Sequence, residues 1–420
     1  YYVNAQNCYT TSATTVNKSA IAATQTTDKQ VIAAGVGSAY TTYASVNDGY
    51  PCFAWEIWNG EASASLTEQD GVYLINNAAD LKKAAEMVNS GDETYKAASY
   101  KLTADVDYMN YEWTPIGLSG FSGKFSGNGH VVKNIKITTN NNLNGFFGDV
   151  SGGAVISNLG LENMTMDLRD GYWTGGFACR NYGTFENCYI ANSTLKNTGG
   201  WAMGAFVGAS ANAGTYRNCY VYNVALNGKT EVSNFAGTVE GYSYFYTCYT
   251  AGVTSTNATT VYNLTNNPKA KPVTVNQCYS DVATTGTNAP VDATVADKAG
   301  IQSGLVAFDA NCAYKVNSKI NNGYPCMSYQ KAAAYDNEYE VAMFTDADGI
   351  KVRIEENEAV ADAVVYVATY DNDGRLIAAE ALDVDTIVTS TLSTAGVKTI
   401  KVFVWDASNN SLALAKVINK

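Results

Sequence analysis

Cysteine is the most reactive residue type in this sequence, and four of the nine cysteines fall at regular intervals. Cys188, Cys219, Cys248 and Cys278 are separated by 31, 29 and 30 residues. An odd total in a chain of 420 residues does not suit a disulfide framework. Side chains at one position of a stacked repeat project in parallel, and a free thiol fills a narrow core as a small hydrophobe. We predict that these four cysteines are buried, stacked and unpaired.

Carboxylates are the next candidates, because glycan lyases and hydrolases need two or three of them, or a carboxylate with a cation, converging on one face. Glu186 and Arg217 occupy the same position in adjacent repeats and are expected to form an exposed ion pair. Tyr246 and Asn276 follow at that position, so no acidic cluster builds up. We predict that the protein is not an enzyme; the alternative is a glycan-active enzyme or its carbohydrate-binding accessory region.

The sequence contains little that indicates a metal or cofactor site. His130 is the only histidine and lies in a Gly-Asn-Gly turn, which excludes sites that need two histidines. There is no CxxC or HExxH motif, and the Gly127-Asn-Gly129 turn is followed by strand residues instead of a helix, so it is not a nucleotide loop. We predict no metal and no cofactor. Calcium stays an open alternative because three aspartate pairs resemble fragments of calcium loops: Asp105 and Asp107, Asp346 and Asp348, and Asp371 and Asp373.

The elements that position these residues follow from the repeat itself. Each of the four cysteines is followed by a tyrosine and preceded, three residues earlier, by an apolar residue. A fifth copy has Leu159 at the cysteine position and Ile156 before it. A second landmark keeps the same step of 30, 29 and 29 residues: Phe147, Phe177, Phe206 and Phe235. A period near 30 at two independent landmarks predicts a solenoid.

Short alternating runs bracketed by Asn or Gly make the repeat a β-helix and not a helical solenoid. Asn158, Asn187 and Asn218 precede the cysteine position, and another Asn follows it by four residues: Asn163, Asn192 and Asn223. Gly252 replaces that second Asn in the fourth copy. Asn and Gly tolerate left-handed backbone, and stacked amides hydrogen-bond along a ladder. The sequence therefore predicts an all-β fold built on a parallel β-helix.

Alternation places a tyrosine opposite each inward cysteine. These tyrosines are predicted to form a stripe on the outer face, and they are the candidate partner-binding residues: Tyr189, Tyr220, Tyr249 and Tyr279. Stacked aromatics make a flat amphipathic surface of the kind that binds sugars or partner proteins. The alternative is that a loop of the same chain covers the stripe.

The flanking regions differ in texture. Asn77 is predicted to cap a helix that ends near Gly91 and plugs the first turn of a β-helix over residues 59–330. Residues 331–339 form a linker, and residues 340–420 a small immunoglobulin-like β-sandwich. Its predicted strands are Val364–Tyr370, Arg375–Leu382 and Val397–Trp405, with an Asp373-Gly374 turn between the first two.

Residues 1–58 echo the end of the β-helix. Asn7-Cys8-Tyr9 and Asn47–Phe53 parallel Gln277-Cys278-Tyr279 and Asn321–Met327. We interpret residues 1–58 as the closing turns of a preceding β-helix, unable to fold alone because a solenoid needs about three repeats. Either these turns belong to a tandem protein, or they complete a neighbouring copy head to tail.

The run from Leu102-Thr-Ala-Asp-Val-Asp107 through Trp113-Thr-Pro-Ile-Gly117 to Gly123-Lys-Phe-Ser-Gly-Asn-Gly-His130 resembles bacterial extracellular proteins carrying the GLUG motif. The resemblance continues into turns such as Gly175-Gly-Phe-Ala178 and covers roughly residues 62–330. It implies a right-handed β-helix, secretion and surface display. The family occurs in adhesins and beside peptidases, so it does not fix one activity.

Composition narrows the partners. The net charge of −12 argues against nucleic acid, whose phosphates need clustered Lys and Arg. No apolar run approaches the length of about 18 residues that spans a bilayer, so no membrane insertion is predicted. We expect a secreted or bacterial cell-surface protein, a non-catalytic adhesin or a structural stalk or filament component. Its expected partners are a glycan or protein of a host or neighbouring cell, or copies of itself.

Overall fold

The fold is described from a computed structural model that covers residues 9–10, 24–25, 28–36, 40–43, 49–53, 57–139, 143–229, 231–306, 312–317, 319–330, 340–346, 349–355, 363–383, 387–390, 392–393, 395–406 and 411–419. Residues 67–295 form a parallel β-solenoid of about seven turns, which confirms the predicted β-helix. A complete turn contributes strands to four sheets, named A to D here in chain order.

The strands of each sheet stack turn upon turn. Sheet A contains Thr67–Gln69, Val72–Ile75, Ser99–Leu102, Lys124–Ser126, Val155–Ser157, Thr184–Glu186, Gly214–Arg217, Ser243–Tyr246 and Val273–Asn276. Sheet B contains Val106–Asp107, Val131–Lys133, Lys136–Ile137, Gly160–Glu162, Thr165–Leu168, Tyr189–Asn197, Tyr220–Gly228, Tyr249–Ala251, Thr254–Thr256, Tyr279–Ser280 and Thr294–Val295. Sheet C contains Trp173–Gly175, Ala202–Gly204, Glu231–Ser233 and Thr260–Tyr262. Sheet D contains Phe147–Val150, Ala178–Asn181, Val207–Ser210, Ala236–Val239, Thr265–Asn266 and Pro290–Val291.

Pairing within the solenoid is parallel except at its two ends. Thr67–Gln69 runs antiparallel to Val72–Ile75, and Pro290–Val291 runs antiparallel to Thr265–Asn266. The register confirms the cysteine-tyrosine landmark, because Tyr189, Tyr220, Tyr249 and Tyr279 are direct neighbours in sheet B. The phenylalanine landmark is wrong by one residue in its first copy. Phe147 pairs with Ala178, so Phe146 is the residue in line with Phe177.

Two columns of aromatic rings fill the interior. In one column Phe177, Phe206 and Phe235 stack at centroid distances of 4.5 and 4.7 Å. In the other, Tyr216 and Phe245 stack at 4.9 Å. The columns meet edge to face, the geometry that aromatic rings prefer when they cannot stack. All of these rings are fully buried, so the solenoid has one continuous core.

The predicted asparagine bends are confirmed. The six asparagines that flank the cysteine position all have φ between 50° and 55°, and Gly252 has φ 63°. Asn187 donates to Asn158 at 3.0 Å, and Asn218 donates to Asn187 at 2.9 Å. A second ladder joins Asn223 to Asn192 at 2.8 Å. Each amide therefore satisfies its neighbour one turn away while holding a left-handed bend.

A helix at Ala78–Asn89, followed by a short helix at Glu93–Lys96, caps the first turn as predicted. Asn77 caps it by accepting from the Asp80 N–H at 3.0 Å. Its Leu81 and Val88 are buried in the solenoid core. At its other end the Asn89 side chain accepts from the N–H groups of Gly117 and Leu118 at 3.0 and 2.9 Å, so the helix is fixed to the turn beside it.

The C-terminal region forms two antiparallel sheets. One contains Glu340–Asp346, Gly349–Glu355 and Ile387–Ser390; the other contains Leu376–Asp383, Ala363–Tyr370, Thr399–Asp406 and Ser411–Asn419. Antiparallel pairing in both sheets supports the predicted sandwich in part. The order differs from the constant-type immunoglobulin plan, because the fourth strand pairs with the third and not with the fifth. Gly374 has φ 74° in the predicted hairpin turn. The linker predicted at 331–339 lies outside the described residues.

The internal echo at the N-terminus extends to the structure. A parallel pair (Tyr9–Thr10 and Thr24–Gln25), a helix (Lys29–Gly35) and an antiparallel pair (Tyr40–Thr41 and Cys52–Phe53) follow one another. The same order recurs at Tyr279–Ser280 and Thr294–Val295, Lys298–Leu305, and Tyr314–Val316 with Pro325–Met327; a short 3-10 turn at Asn321–Gly323 precedes the last strand. The placement of residues 1–58 in a preceding β-helix stays a prediction.

Candidate functional site

The tyrosine stripe was the first candidate site. Tyr189 and Tyr220 stack at 4.9 Å, and Tyr220 and Tyr249 at 5.0 Å, with nearly parallel rings. They lie on the face of sheet B opposite the cysteines, as alternation predicts, because each set belongs to a different apolar cluster. The stripe exists, but it is not an open surface.

Residues 297–306, 312–317 and 319–330, called the covering segment below, lie over the stripe. The segment starts with the helix Lys298–Leu305, capped by Asp297, and continues through its antiparallel strand pair. Its apolar side chains pack on the tyrosines, chiefly Ile301, Leu305, Tyr314 and Met327. Tyr189, Tyr220 and Tyr249 are fully buried. The prediction of an open partner-binding stripe is therefore wrong for these three residues, and the alternative of a covering loop is the observed state. Tyr279 is partly buried at the end of the stripe.

Hydrogen bonds also hold the covering segment on the tyrosine stripe, and the contact between the two is called the seam below. The Tyr220 hydroxyl donates to the Gln330 side chain at 2.7 Å, and the Tyr249 hydroxyl donates to the Pro325 carbonyl. From the other side, Tyr329 donates to the Asn187 carbonyl at 2.8 Å. Burial raises the pKa of Tyr189, Tyr220 and Tyr249 well above the usual value. These phenols are therefore buried and neutral at ordinary pH.

The cysteine prediction is confirmed. Cys188, Cys219, Cys248 and Cys278 are buried free thiols, and they stack between sheets A and B. Cys219 lies 3.2 Å from the Arg217 carbonyl. Burial raises the pKa of the Cys219 thiol well above its usual value, which withholds the reactive thiolate. The ladder therefore fills the core with buried, free thiols.

Arg217 and His130, two polar residues singled out in the sequence, have structural partners. Glu186 and Arg217 are neighbours in register, but these two described side chains form no ion pair. The Arg217 guanidinium instead lies over the Tyr246 ring, 4.5 Å from its centroid. His130 Nδ1 is 3.0 Å from the Asp105 carboxylate, which also accepts from the Val131 N–H at 3.1 Å.

Asp371 and Asp107, two further aspartates with calcium-loop spacing, accept hydrogen bonds within turns or between them. Asp371 accepts from the N–H groups of Asp373 and Arg375, both at 2.9 Å. Asp107 accepts from the Met109 N–H and the Asn134 amide, both at 2.8 Å. Asp346 is described by its backbone alone, and Asp348 lies outside the described residues. Within the described ranges no group of three His, Cys, Asp or Glu side chains is placed to hold a metal ion.

A different feature emerges at the start of sheet C. Tyr172, Trp173 and Trp201 form an aromatic patch on two adjacent turns. The Tyr172 ring meets the Trp173 ring edge-on at 4.6 Å and lies 5.2 Å from the Trp201 ring with a tilt of 30°. Tyr172 is 59% exposed, and both indoles are half-buried. This is the candidate functional site that the structure offers.

Buried Asn197 holds the two loops that carry the patch. Its amide donates to the Gly171 carbonyl at 3.1 Å and to the Thr174 hydroxyl at 2.7 Å. Its carbonyl oxygen accepts from the N–H groups of Gly199 and Gly200 at 3.3 and 3.0 Å. A Cβ on Gly200 would lie 2.4 Å from this amide, so the loop must be glycine there. One side chain therefore fixes both aromatic loops.

Two ion pairs lie beside the patch. Arg180 forms a bidentate pair with Asp149, and its guanidinium lies 5.3 Å from the centroid of the Trp173 ring. That hydrogen bond raises the pKa of Arg180, so the group is a permanent cation. Lys269 pairs with Glu240. The pKa of Lys269 is raised by this hydrogen bond and, to a smaller extent, by interaction with Tyr172, which places the second pair near the patch.

Sequence reasoning missed this patch, although a signal was present. Tyr172 and Trp201 stand immediately before Trp173 and Ala202, which are paired in sheet C, so the two aromatics occupy one position of adjacent repeats. The predicted landmarks recur in four copies, whereas this position is aromatic in only two.

Comparison with known protein families, with curated proteins and with solved structures found no match to this chain. Among the described residues no helix is both long and apolar enough to cross a bilayer.

Proposed function

We propose that the protein is a non-catalytic module of a bacterial cell surface, acting as an adhesin or as a structural stalk. The observation that supports this most directly is the sealed seam between sheet B and the covering segment. The aromatic stack from Tyr189 to Tyr249 joins two parts of the same chain. Such a double-layered shaft is suited to holding a surface at a distance.

The disposition of charged groups favours the same function. The carboxylates of Asp149 and Glu240 pair with cations, and Asp105 and Asp107 cap backbone groups. Glycan cleavage needs carboxylates that converge on a substrate. In this solenoid these carboxylates are spread over several turns, and each contacts its own cation or backbone group. Secretion and bacterial origin rest on the GLUG resemblance.

The experiment has two parts. Antibodies against the chain are applied to intact producer cells with gold labelling, and the purified chain is incubated with a polysaccharide panel while reducing ends and unsaturated products are measured. We expect surface label on unpermeabilised cells and no products. Label that needs permeabilisation contradicts surface display, and product formation contradicts a non-catalytic function.

A further inference from the structure

We propose that the aromatic patch of Tyr172, Trp173 and Trp201 binds a neutral oligosaccharide of equatorially linked pyranose units. The inference rests on the proposed surface function and names a partner class for it. It assigns binding to this patch in place of the tyrosine stripe, which is covered.

The first argument is ring exposure. Tyr189, Tyr220 and Tyr249 are buried along sheet B, whereas Tyr172 keeps 59% of its surface exposed beside two half-buried indoles. Contiguous exposed aromatic surface marks interaction sites in soluble proteins. A pyranose with equatorial hydroxyls presents axial C–H groups on its faces, which pack on an aromatic ring while the hydroxyls stay at the rim. Tyrosine and tryptophan add a polar edge to such a surface.

The second argument is preorganisation. The four hydrogen bonds of Asn197 fix the loops on both turns. The backbone N–H of Trp201 also donates to the backbone carbonyl of Tyr172 at 3.2 Å, which ties one loop to the next. A sugar that meets rings already held in place does not have to order them, so less of the contact free energy is lost on binding.

The third argument concerns charge. Arg180 and Lys269 border the patch, and each is already paired with a carboxylate, Asp149 and Glu240. These pairs leave the border without net charge while offering charged donors and acceptors, which form the stronger hydrogen bonds to hydroxyl groups. An anionic glycan would in addition be repelled by the chain, whose net charge is −12. The ligand that fits is therefore neutral.

The test is calorimetric titration of the full chain with two probes, cellohexaose and chitohexaose. We expect at least one probe to bind. Tyr172→Ala and Trp201→Ala should each weaken that binding about tenfold or more, the scale on which one aromatic stacking contact acts. Tyr172→Phe keeps the ring and should change the Kd by less than about threefold, since only the hydroxyl is lost.

Tyr242→Ala is the matched control, because Tyr242 is 56% exposed and stacks on no other ring among the described residues. Its variant should bind like the unmodified chain, and thermal melting should show that all four variants are folded. Binding of neither probe at millimolar concentration overturns the inference, as does full binding by Trp201→Ala or an equal loss with Tyr242→Ala. Surface label on cells without probe binding leaves the proposed function standing, whereas cleavage of a bound probe overturns that function and keeps the site.

Discussion

Asn218 shows how one side chain serves two purposes in this solenoid. Its φ of 52° is left-handed, and its amide joins Asn187 on one turn to Thr247 on the next. Conformation and hydrogen bonding are both needed, and they can be separated by substitution because glycine supplies the first without the second.

We therefore expect Asn218→Ala to destabilise the shaft more than Asn218→Gly, by about 1 kcal/mol, since alanine loses the ladder and also strains the bend. Urea unfolding of both variants followed by circular dichroism measures the difference. Equal midpoints would mean that the ladder and not the backbone conformation explains the asparagine.

The hydroxyl of Tyr220 offers a second test at this scale. Tyr220→Phe removes the bond to Gln330 inside the seam and should lower the free energy of unfolding by roughly 0.5–1.5 kcal/mol. Tyr172→Phe is the matched control, because its hydroxyl lies on an exposed side chain and its loss should change stability by less than about 0.5 kcal/mol. If the two variants melt alike, the seam hydrogen bond contributes nothing measurable.

The covering segment is the element that was not predicted from the sequence, and it explains why the tyrosine stripe is buried and not open. The stripe, the cysteine ladder and the asparagine bends were predictable because they repeat. A repeat in the sequence shows which residues align on adjacent turns, even when the surrounding structure is unknown. The covering segment does not repeat within the solenoid. Nothing in the spacing of Tyr189, Tyr220 and Tyr249 distinguishes an open aromatic face from a covered one, since both require the same apolar residues.

Two smaller errors have the same origin. Phe146 and Phe147 are adjacent, so residue spacing alone does not show which of the two lies in line with Phe177; the sheet register shows that it is Phe146. Glu186 and Arg217 are neighbours as predicted, but the Arg217 guanidinium packs over the ring of Tyr246, on the next turn, instead of pairing with Glu186. In both cases the outcome depends on a neighbouring residue, which the comparison of one repeat position at a time does not include.

The seam and the interior are separate apolar clusters, so they should be separable in solution. Ile301→Asp places a carboxylate in the fully buried seam and should release the covering segment, because an unpaired buried charge is strongly unfavourable. Hydrogen exchange should rise at 298–305 and 314–327 while the strand at Thr184–Glu186 stays protected.

Val295→Asp is the control for this experiment, since Val295 is largely exposed near the same end of sheet B. It should leave the exchange of the covering segment unchanged. Simultaneous loss of protection in the seam and at Thr184–Glu186 would show that the two layers form one cooperative unit.

Acid sensitivity should arise at the edge of the first turns. Glu112 accepts from the N–H groups of Thr138 and Thr139, both at 2.7 Å. Burial of this carboxyl group opposes ionisation, but the two backbone donors prevail and lower its pKa. A lowered folded-state pKa means that the stabilisation is complete above the unfolded-state pKa of about 4.3 and is lost as the pH falls through the folded value.

Glu112→Gln should accordingly lower the urea midpoint at pH 7 and flatten its dependence on pH in the acid range. Glu186→Gln is the comparison, because among described residues its carboxylate accepts no hydrogen bond. Unfolding curves at several pH values between about 3 and 7 test this. An unchanged acid slope in Glu112→Gln would remove Glu112 as the source.

At the scale of the molecule, the N-terminal echo has one face that its counterpart does not expose. Tyr40 and Phe53 stack on each other at 4.7 Å and are 41% and 38% exposed. Their counterparts Tyr314 and Met327 are 1% and 0% exposed, because they pack on the tyrosine stripe. Part of the Tyr40 and Phe53 rings is therefore open to solvent, whereas their counterparts are buried.

We expect this face to support head-to-tail association of copies of the chain, in line with a stalk or filament. Sedimentation velocity should show larger species as the concentration rises, and the double variant Tyr40→Ser with Phe53→Ser should shift them towards monomer. Leu376→Ser, at an exposed position in the C-terminal region, is the control. Unchanged association in the double variant would place the contact elsewhere.

The length of the covering segment must also match the number of turns that it crosses. The segment follows Thr294–Val295 of sheet B in the chain and ends with Tyr329, which lies beside Gly129 and donates to the carbonyl of Asn187. Insertion or deletion of one whole repeat would keep every interior column in register, so the core alone tolerates changes of length. The segment does not, because its anchors would then meet the wrong turn. Length variation in such shafts is therefore restricted to paired changes, in which the number of turns and the span of the segment alter together.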